Sequence, residues 1–168
     1  MAIKIHPTKA LLISTTVTLL ETKLPGEIAV DEILEASGIS KGSLYHHFED
    51  LGELLEAAQV EIYAAWVDRS IEALVGMIAK VKTREDIVAG LKLVTRFTQD
   101  PKYSNTRFQR ARAIAAAEHN PRFKKRLAEE QTRLTDALID LINEARNKGL
   151  YASDFDAHAG AVLVQAYT

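Results

Sequence analysis

The chain has 168 residues, 47% of them hydrophobic and 26% charged, with a formal net charge of −2 and no cysteine. One domain's worth of chain can bury roughly 70% of the surface its unfolded form exposes. Disulfides, thiolate metal sites and cysteine nucleophiles are excluded, no apolar run reaches the ~18 residues of a membrane span, and the N-terminus lacks the h-region of a signal peptide. A cytoplasmic protein is expected. The charge balance is not that of a globally basic nucleic-acid binder, so any such function must come from a local motif.

The elements follow from breakers and periodicity. Thr8 to Lys23 carries Leu12, Thr16, Leu19 and Leu20 at helical spacing, and Leu24-Pro25-Gly26 ends it. A short second helix is predicted from about Val30 to Ser37, stopped by Gly38, and a third from Lys41 to Phe48, capped by Ser40. Asp50 can cap a long fourth helix from Leu51 to about Val81, and Thr83 a fifth that ends near Asp100-Pro101. A sixth spans about Asn105 to Glu118. The seventh runs from Arg122 to Lys148 on the stripe Phe123, Leu127, Leu134, Leu138, Leu141, Ile142 and Ala145, and Gly149 closes it. Asp154 is expected to cap an eighth. No segment has strand patterning, so the fold class is all-α.

The informative stretch is Ile33 to Phe48, ILEASGISKGSLYHHF. Ile33, Ala36, Ile39, Leu44 and Phe48 are placed to close a small core. Two short helices joined through Gly38 and Ile39 must cross steeply, which is helix-turn-helix geometry. The second of them exposes Lys41, Ser43, Tyr45, His46 and His47, rich in donors and poor in acids, as a helix lying in the major groove requires. His46 and His47 could be metal ligands elsewhere. Here they point about 100° apart and have no partner at ligand spacing, so no metal and no cofactor is expected.

This segment, with Glu53-Leu54-Leu55 after it, resembles the recognition segment of the TetR family of transcriptional regulators, in which Gly-Val-Ser-x-Gly-x-Leu-Tyr-x-His-Phe precedes a leucine-rich long helix. The resemblance implies a three-helix DNA-binding domain over residues 1–50 and a larger helical ligand-binding and dimerisation domain over 51–168. It places Ser40, Lys41, Gly42 and Ser43 against base edges or the nearest phosphates and Tyr45 and His46 in the groove. It also puts His47, and Lys9 at the start of the first helix, on backbone phosphates. Two departures stand out. Ala29 occupies the position where the family has a capping Thr, and the usual Lys at the start of the fourth helix is missing from Phe48-Glu49-Asp50-Leu51. Residues 1–50 hold four strong bases and seven acids, a net of −3.

In the family, helices four to eight enclose an effector pocket. The candidates here are Tyr63, Trp66, Met77, Phe97, Phe108 and Ile114, each of which would equally serve as ordinary core. Nine bases against three acids fall between Lys102 and Arg133. At least one of Arg107, Arg110 and Arg112 is a candidate partner for an anionic group of an effector, with solvation or pairing to neighbouring acids as the other outcome. From Phe155 to Tyr167 nearly every position is apolar or small, which implies burial on two sides and a homodimer, with Gly160 and Ala161 admitting a partner helix. The family places a further helix after this one, so the last helix is expected to be truncated. The function implied is a ligand-responsive regulator, most commonly a repressor, that binds palindromic double-stranded operator DNA as a homodimer. Isolated His119 and His158 and the lack of clustered acid–base groups argue against an enzyme. The acidic N-terminal balance leaves an alternative, a helical interaction protein of the same fold with weak or lost operator binding.

Overall fold

A computed structural model describes residues 5–166. Lys4, counted above, and Tyr167 and Thr168, which end the apolar run, lie outside them. The described residues form eight α-helices joined by turns and short 3-10 segments, with no strand. The chain divides into two compact units between Tyr63 and Ala64.

The first unit is built from α1 (Pro7–Leu20), α2 (Val30–Ser37), α3 (Lys41–His47) and the start of α4 (Leu51–Ile78). Helix α1 starts earlier than its apolar spacing suggests, because Pro7 takes the first helical position and the His6 ring accepts from the Thr8 amide at 3.3 Å. It packs against both α2 and α3. Leu12, Leu20, Ile28, Ile33, Leu44, Phe48, Leu54, Ala57 and Ala58 form one buried cluster, with Ile39, Leu51 and Leu55 half-buried against it. Ala36, expected in this core, is exposed, since α2 turns only one stripe inward and Ile33 fills it.

The second unit contains the rest of α4, then α5 (Arg84–Gln99), α6 (Ser104–Ala116), α7 (Pro121–Asn147) and α8 (Ala157–Ala166). Helix α4 stops at Ile78 rather than Val81 because the chain tightens into a turn, with Lys80 N–H bonding Met77 O and Val81 N–H bonding Ile78 O. A reciprocal capping box between Thr83 and Asp86 starts α5, and the Asn120 side chain starts α7 by accepting from the Phe123 amide. Phe123, Leu127, Leu134, Leu138, Ile142 and Ala145 are the buried face of α7, while Leu141 is half-buried. Gly149, at φ +76°, ends the helix in a Schellman turn: Leu150 N–H bonds Ala145 O and Gly149 N–H bonds Arg146 O.

Helix α8 starts later than expected. Asp156, not Asp154, caps it by accepting from the Ala159 amide, because Tyr151 and Phe155 stack at 4.8 Å and hold the preceding residues in a turn. Gly160 and Ala161 are buried in this chain rather than offered to a partner. A Cβ on Gly160 would lie 2.7 Å from Phe155 Cε1 and 3.2 Å from Ile142 Cδ1, so the glycine lets α8 close on α7. Gln165 fixes the same contact through Gln131 and Thr135. The exposed side of α8 carries Val162 and Leu163. No helix among the described residues is long and apolar enough to cross a membrane.

Candidate nucleic-acid interface

The α2–α3 turn is set by a few backbone events. The Gly38 N–H closes on Leu34 O, and its φ of +67° is the left-handed conformation that a side chain would strain. The Ser37 hydroxyl accepts from the Ile39 amide, and Ser40 caps α3 by accepting from the Ser43 amide at 3.3 Å. Ala29 caps α2 with backbone only, as its side chain requires. Leu44 and Phe48 then anchor α3 in the core, 0% and 2% exposed. The opposite face has no choice but to point outward.

That face carries Ser40, Lys41, Gly42, Tyr45 and His46, all exposed, with Ser43 and His47 half-buried beside them. A Cβ on Gly42 would meet nothing within 4 Å. Glycine inside a helix costs about 0.5–1 kcal/mol relative to alanine, so nothing inside the described protein accounts for it. Lys9 reaches across from α1, its ammonium 4.8 Å from the centre of the Phe48 ring. His6 was not among the residues picked from sequence, yet its ring centre lies 4.8 Å from that of His47, and His46 is 5.1 Å from His47. The only sequence sign of this was a base immediately before the Pro that opens α1. Partial burial first, then the charges of His6, His46 and Lys9, hold the His47 imidazole below its ordinary range. No group of three or more His, Cys, Asp or Glu among the described residues is arranged to hold a metal ion.

Some acids of the first unit are tied up locally. Glu32 pairs with Lys23, Asp50 accepts from the Glu53 amide to cap α4, and Glu53 accepts from the Glu49 amide. Their charge still sets an acidic background, but these carboxylates are held at helix ends or on α2.

The residues expected around an effector are dispersed within their units. Tyr63 is buried at the end of the first unit. In the second, Trp66 is half-buried under the Arg110 guanidinium, 3.7 Å from its ring centre. Met77 packs on Gly90, whose missing side chain leaves room for its sulfur. Phe97, Phe108 and Ile114 are 57%, 62% and 57% exposed, so they line no enclosed space within this unit. The Phe97 and Tyr103 rings pack tilted against each other, ring centres 4.4 Å apart. Arg107 donates to Thr98 O and Asp100 O at 2.6 and 3.0 Å, which ties the end of α5 to α6. A shallow, mostly apolar depression of about 390 Å³ lies elsewhere, on α5, between Val88, Leu91, Lys92, Thr95 and Arg96.

Residues 12–58 match the profile of bacterial regulatory proteins of the tetR family, a span that contains the whole turn and α3. No protein of curated function matches the chain. Among solved structures, Salmonella enterica GusR is 22% identical with a TM-score of 0.67, covering 98% of this chain and 81% of its own. A TetR-family regulator from Cytophaga hutchinsonii is 18% identical with a TM-score of 0.67, covering 99% and 82%. FadR from Bacillus subtilis, solved in complex with stearoyl-CoA, is 14% identical with a TM-score of 0.57, covering 94% and 81%. At these identities the structures establish the shared fold. The profile match adds that residues 12–58, which hold the helix-turn-helix, are similar to the DNA-binding segment of bacterial regulatory proteins of the tetR family.

Proposed function

We propose that this protein is a ligand-responsive transcriptional repressor that binds palindromic operator DNA as a homodimer. The observation that carries the reading is α3. A helix anchored by Leu44 and Phe48 presents Lys41, Gly42, Tyr45 and His46 to solvent, and those side chains and that bare backbone suit base edges and phosphates. A single short helix reads too little DNA for a specific site. Two copies with recognition helices about 34–36 Å apart would read successive major grooves. Val162 and Leu163, 49% and 60% exposed on α8, support that interface as an apolar strip on a helix already buried on its other side.

An amphipathic small molecule is the proposed effector, with the second unit as its site. The acyl-CoA bound by Bacillus subtilis FadR, on the same fold, supports that chemical class. Binding would have to favour a conformer whose paired α3 helices no longer match the groove spacing. Helix α4, which runs from Leu51 to Ile78, is the proposed lever.

Gel shifts with fragments of the source genome, run as a salt series, test the regulator. A retarded fragment whose affinity falls steeply with salt is expected. Uniformly absent retardation would favour the interaction-protein alternative, for which the −3 balance of residues 1–50 is the supporting observation. Light scattering at micromolar concentration should give a dimer, and Leu163→Glu should give a monomer of unchanged helicity. Trp66 is the sole tryptophan, so effector binding is expected to change its fluorescence.

A further inference from the structure

Three of the five histidines sit at one place, and the other two, His119 and His158, lie in the second unit. His6 belongs to the entry of α1, His46 and His47 to the last turn of α3. Their rings form a chain at 4.8 and 5.1 Å. Lys9 joins them from α1, close enough to act on the His47 charge. The three groups whose charges hold the His47 imidazole down, His6, His46 and Lys9, are all bases. Glu49 is the nearest carboxylate along the chain, and the next two, Asp50 and Glu53, accept from backbone amides at the start of α4.

The three rings of this cluster lie close enough for like charges to repel. Each added proton raises the cost of the next, and partial burial adds to that cost. A phosphodiester reverses the balance, because a fixed negative charge within a few ångströms favours the imidazolium and gives its N–H groups an acceptor. The acidic first unit would thus acquire positive charge at the moment DNA docks.

Resting on the reading of α3 as the DNA-contacting helix, we propose that His6, His46 and His47 form with Lys9 a backbone-phosphate site that takes up protons as DNA binds. His6 is a phosphate-binding residue on this account, and it gives up its cap on the Thr8 amide when it takes a proton, because an imidazolium has no acceptor nitrogen. Affinity for DNA then rises as pH falls, by up to about tenfold per pH unit for each proton taken up. The number of phosphates neutralised, read from the salt dependence, is larger at acid pH.

The test is fluorescence anisotropy of the full chain with a labelled duplex of mixed sequence, between about pH 8 and pH 5.5 at constant ionic strength. Wild type should bind about 10–100-fold more tightly at the acid end, with a steeper salt slope there. His6→Asn keeps a capping acceptor for Thr8 but cannot titrate, and His47→Gln keeps a donor. Each should remove a large part of the pH dependence, and the double variant nearly all of it, while circular dichroism confirms the fold. The double variant His119→Gln/His158→Gln should behave as wild type. Binding that ignores pH, or a pH dependence that survives in the first pair and vanishes in the second, overturns the proposal while leaving α3 as the DNA contact. Absence of binding at every pH overturns the reading of α3 itself, and the proposal with it.

Discussion

The two units of this chain use their apolar residues differently. In the first, Leu12, Ile33, Leu44 and Leu54 are wholly buried in one cluster, and the exposed face of α3 is polar apart from Tyr45. In the second, α7 supplies a buried stripe, yet Leu93, Phe108 and Leu163 are 67%, 62% and 60% exposed. The charges are divided as well. Residues 1–50 are net acidic, whereas nine bases fall between Lys102 and Arg133. A small unit that must hold one helix at a fixed angle has little freedom in its core. A larger helical unit closes its core with one stripe per helix and leaves the other faces open to variation.

The contrast is sharpest for the second unit's own phenylalanines. Phe123→Ala is expected to cost about 3–5 kcal/mol in urea unfolding, because the ring is 1% exposed. Phe108→Ala should change stability by no more than about 0.5 kcal/mol. Equal costs would mean that Phe108 is buried in the working protein, for example by a second copy. Leu44→Ala should cost about 2–5 kcal/mol and lower hydrogen-exchange protection first in residues 7–58.

Gly160→Ala comes next, at about 1–3 kcal/mol, because the added methyl meets Phe155 and Ile142 at sub-contact distances. If Gly160 faced a partner helix instead, the variant would change dimerisation rather than the stability of the α7–α8 pair. Gly42→Ala has the opposite sign. Open space surrounds that position, so the variant should be stabilised by about 0.5–1 kcal/mol and yet bind DNA more weakly. A stabilised variant that binds as wild type would show that DNA does not approach Gly42.

The smallest effect is that of pH on the unliganded protein. His47 is held below the ordinary histidine value of 6.5 by partial burial and by the neighbouring His6, His46 and Lys9. The unfolded chain therefore binds this proton more readily than the folded one. Its contribution to stability is full above that value and declines as pH falls through it. His47→Gln should flatten this decline in melts followed by circular dichroism.

The first unit was largely legible because its geometry depends on residues that few others can replace. Gly38 and Ser40 marked the turn, and Asp50, Thr83 and Gly149 marked helix ends elsewhere. Errors came where tertiary contacts moved an end, as with the Tyr151–Phe155 stack before α8, or where a face had to be chosen, as with Ala36 and Gly160. The proximity of His6 to His47 was not readable, since it depends on how α1 crosses α3. Spacing also cannot separate a core residue from a cavity residue or an exposed one. Met77, Phe97 and Phe108 all have helical periodicity, and their environments differ only because each helix turned a different side inward.

The central claim is that α3, on an acidic unit, contacts DNA in preference to the basic stretch of the second unit. Binding of a retarded genomic fragment by Lys41→Ala/Tyr45→Ala and by Lys124→Ala/Lys125→Ala, each across a salt series, tests it directly. The first double variant should lose at least about tenfold in affinity, since a good base contact at Lys41 alone is worth about 1–3 kcal/mol. The second should bind with the affinity and salt slope of wild type. The reverse pattern, with loss on removing Lys124 and Lys125 and none on removing Lys41 and Tyr45, would contradict the account.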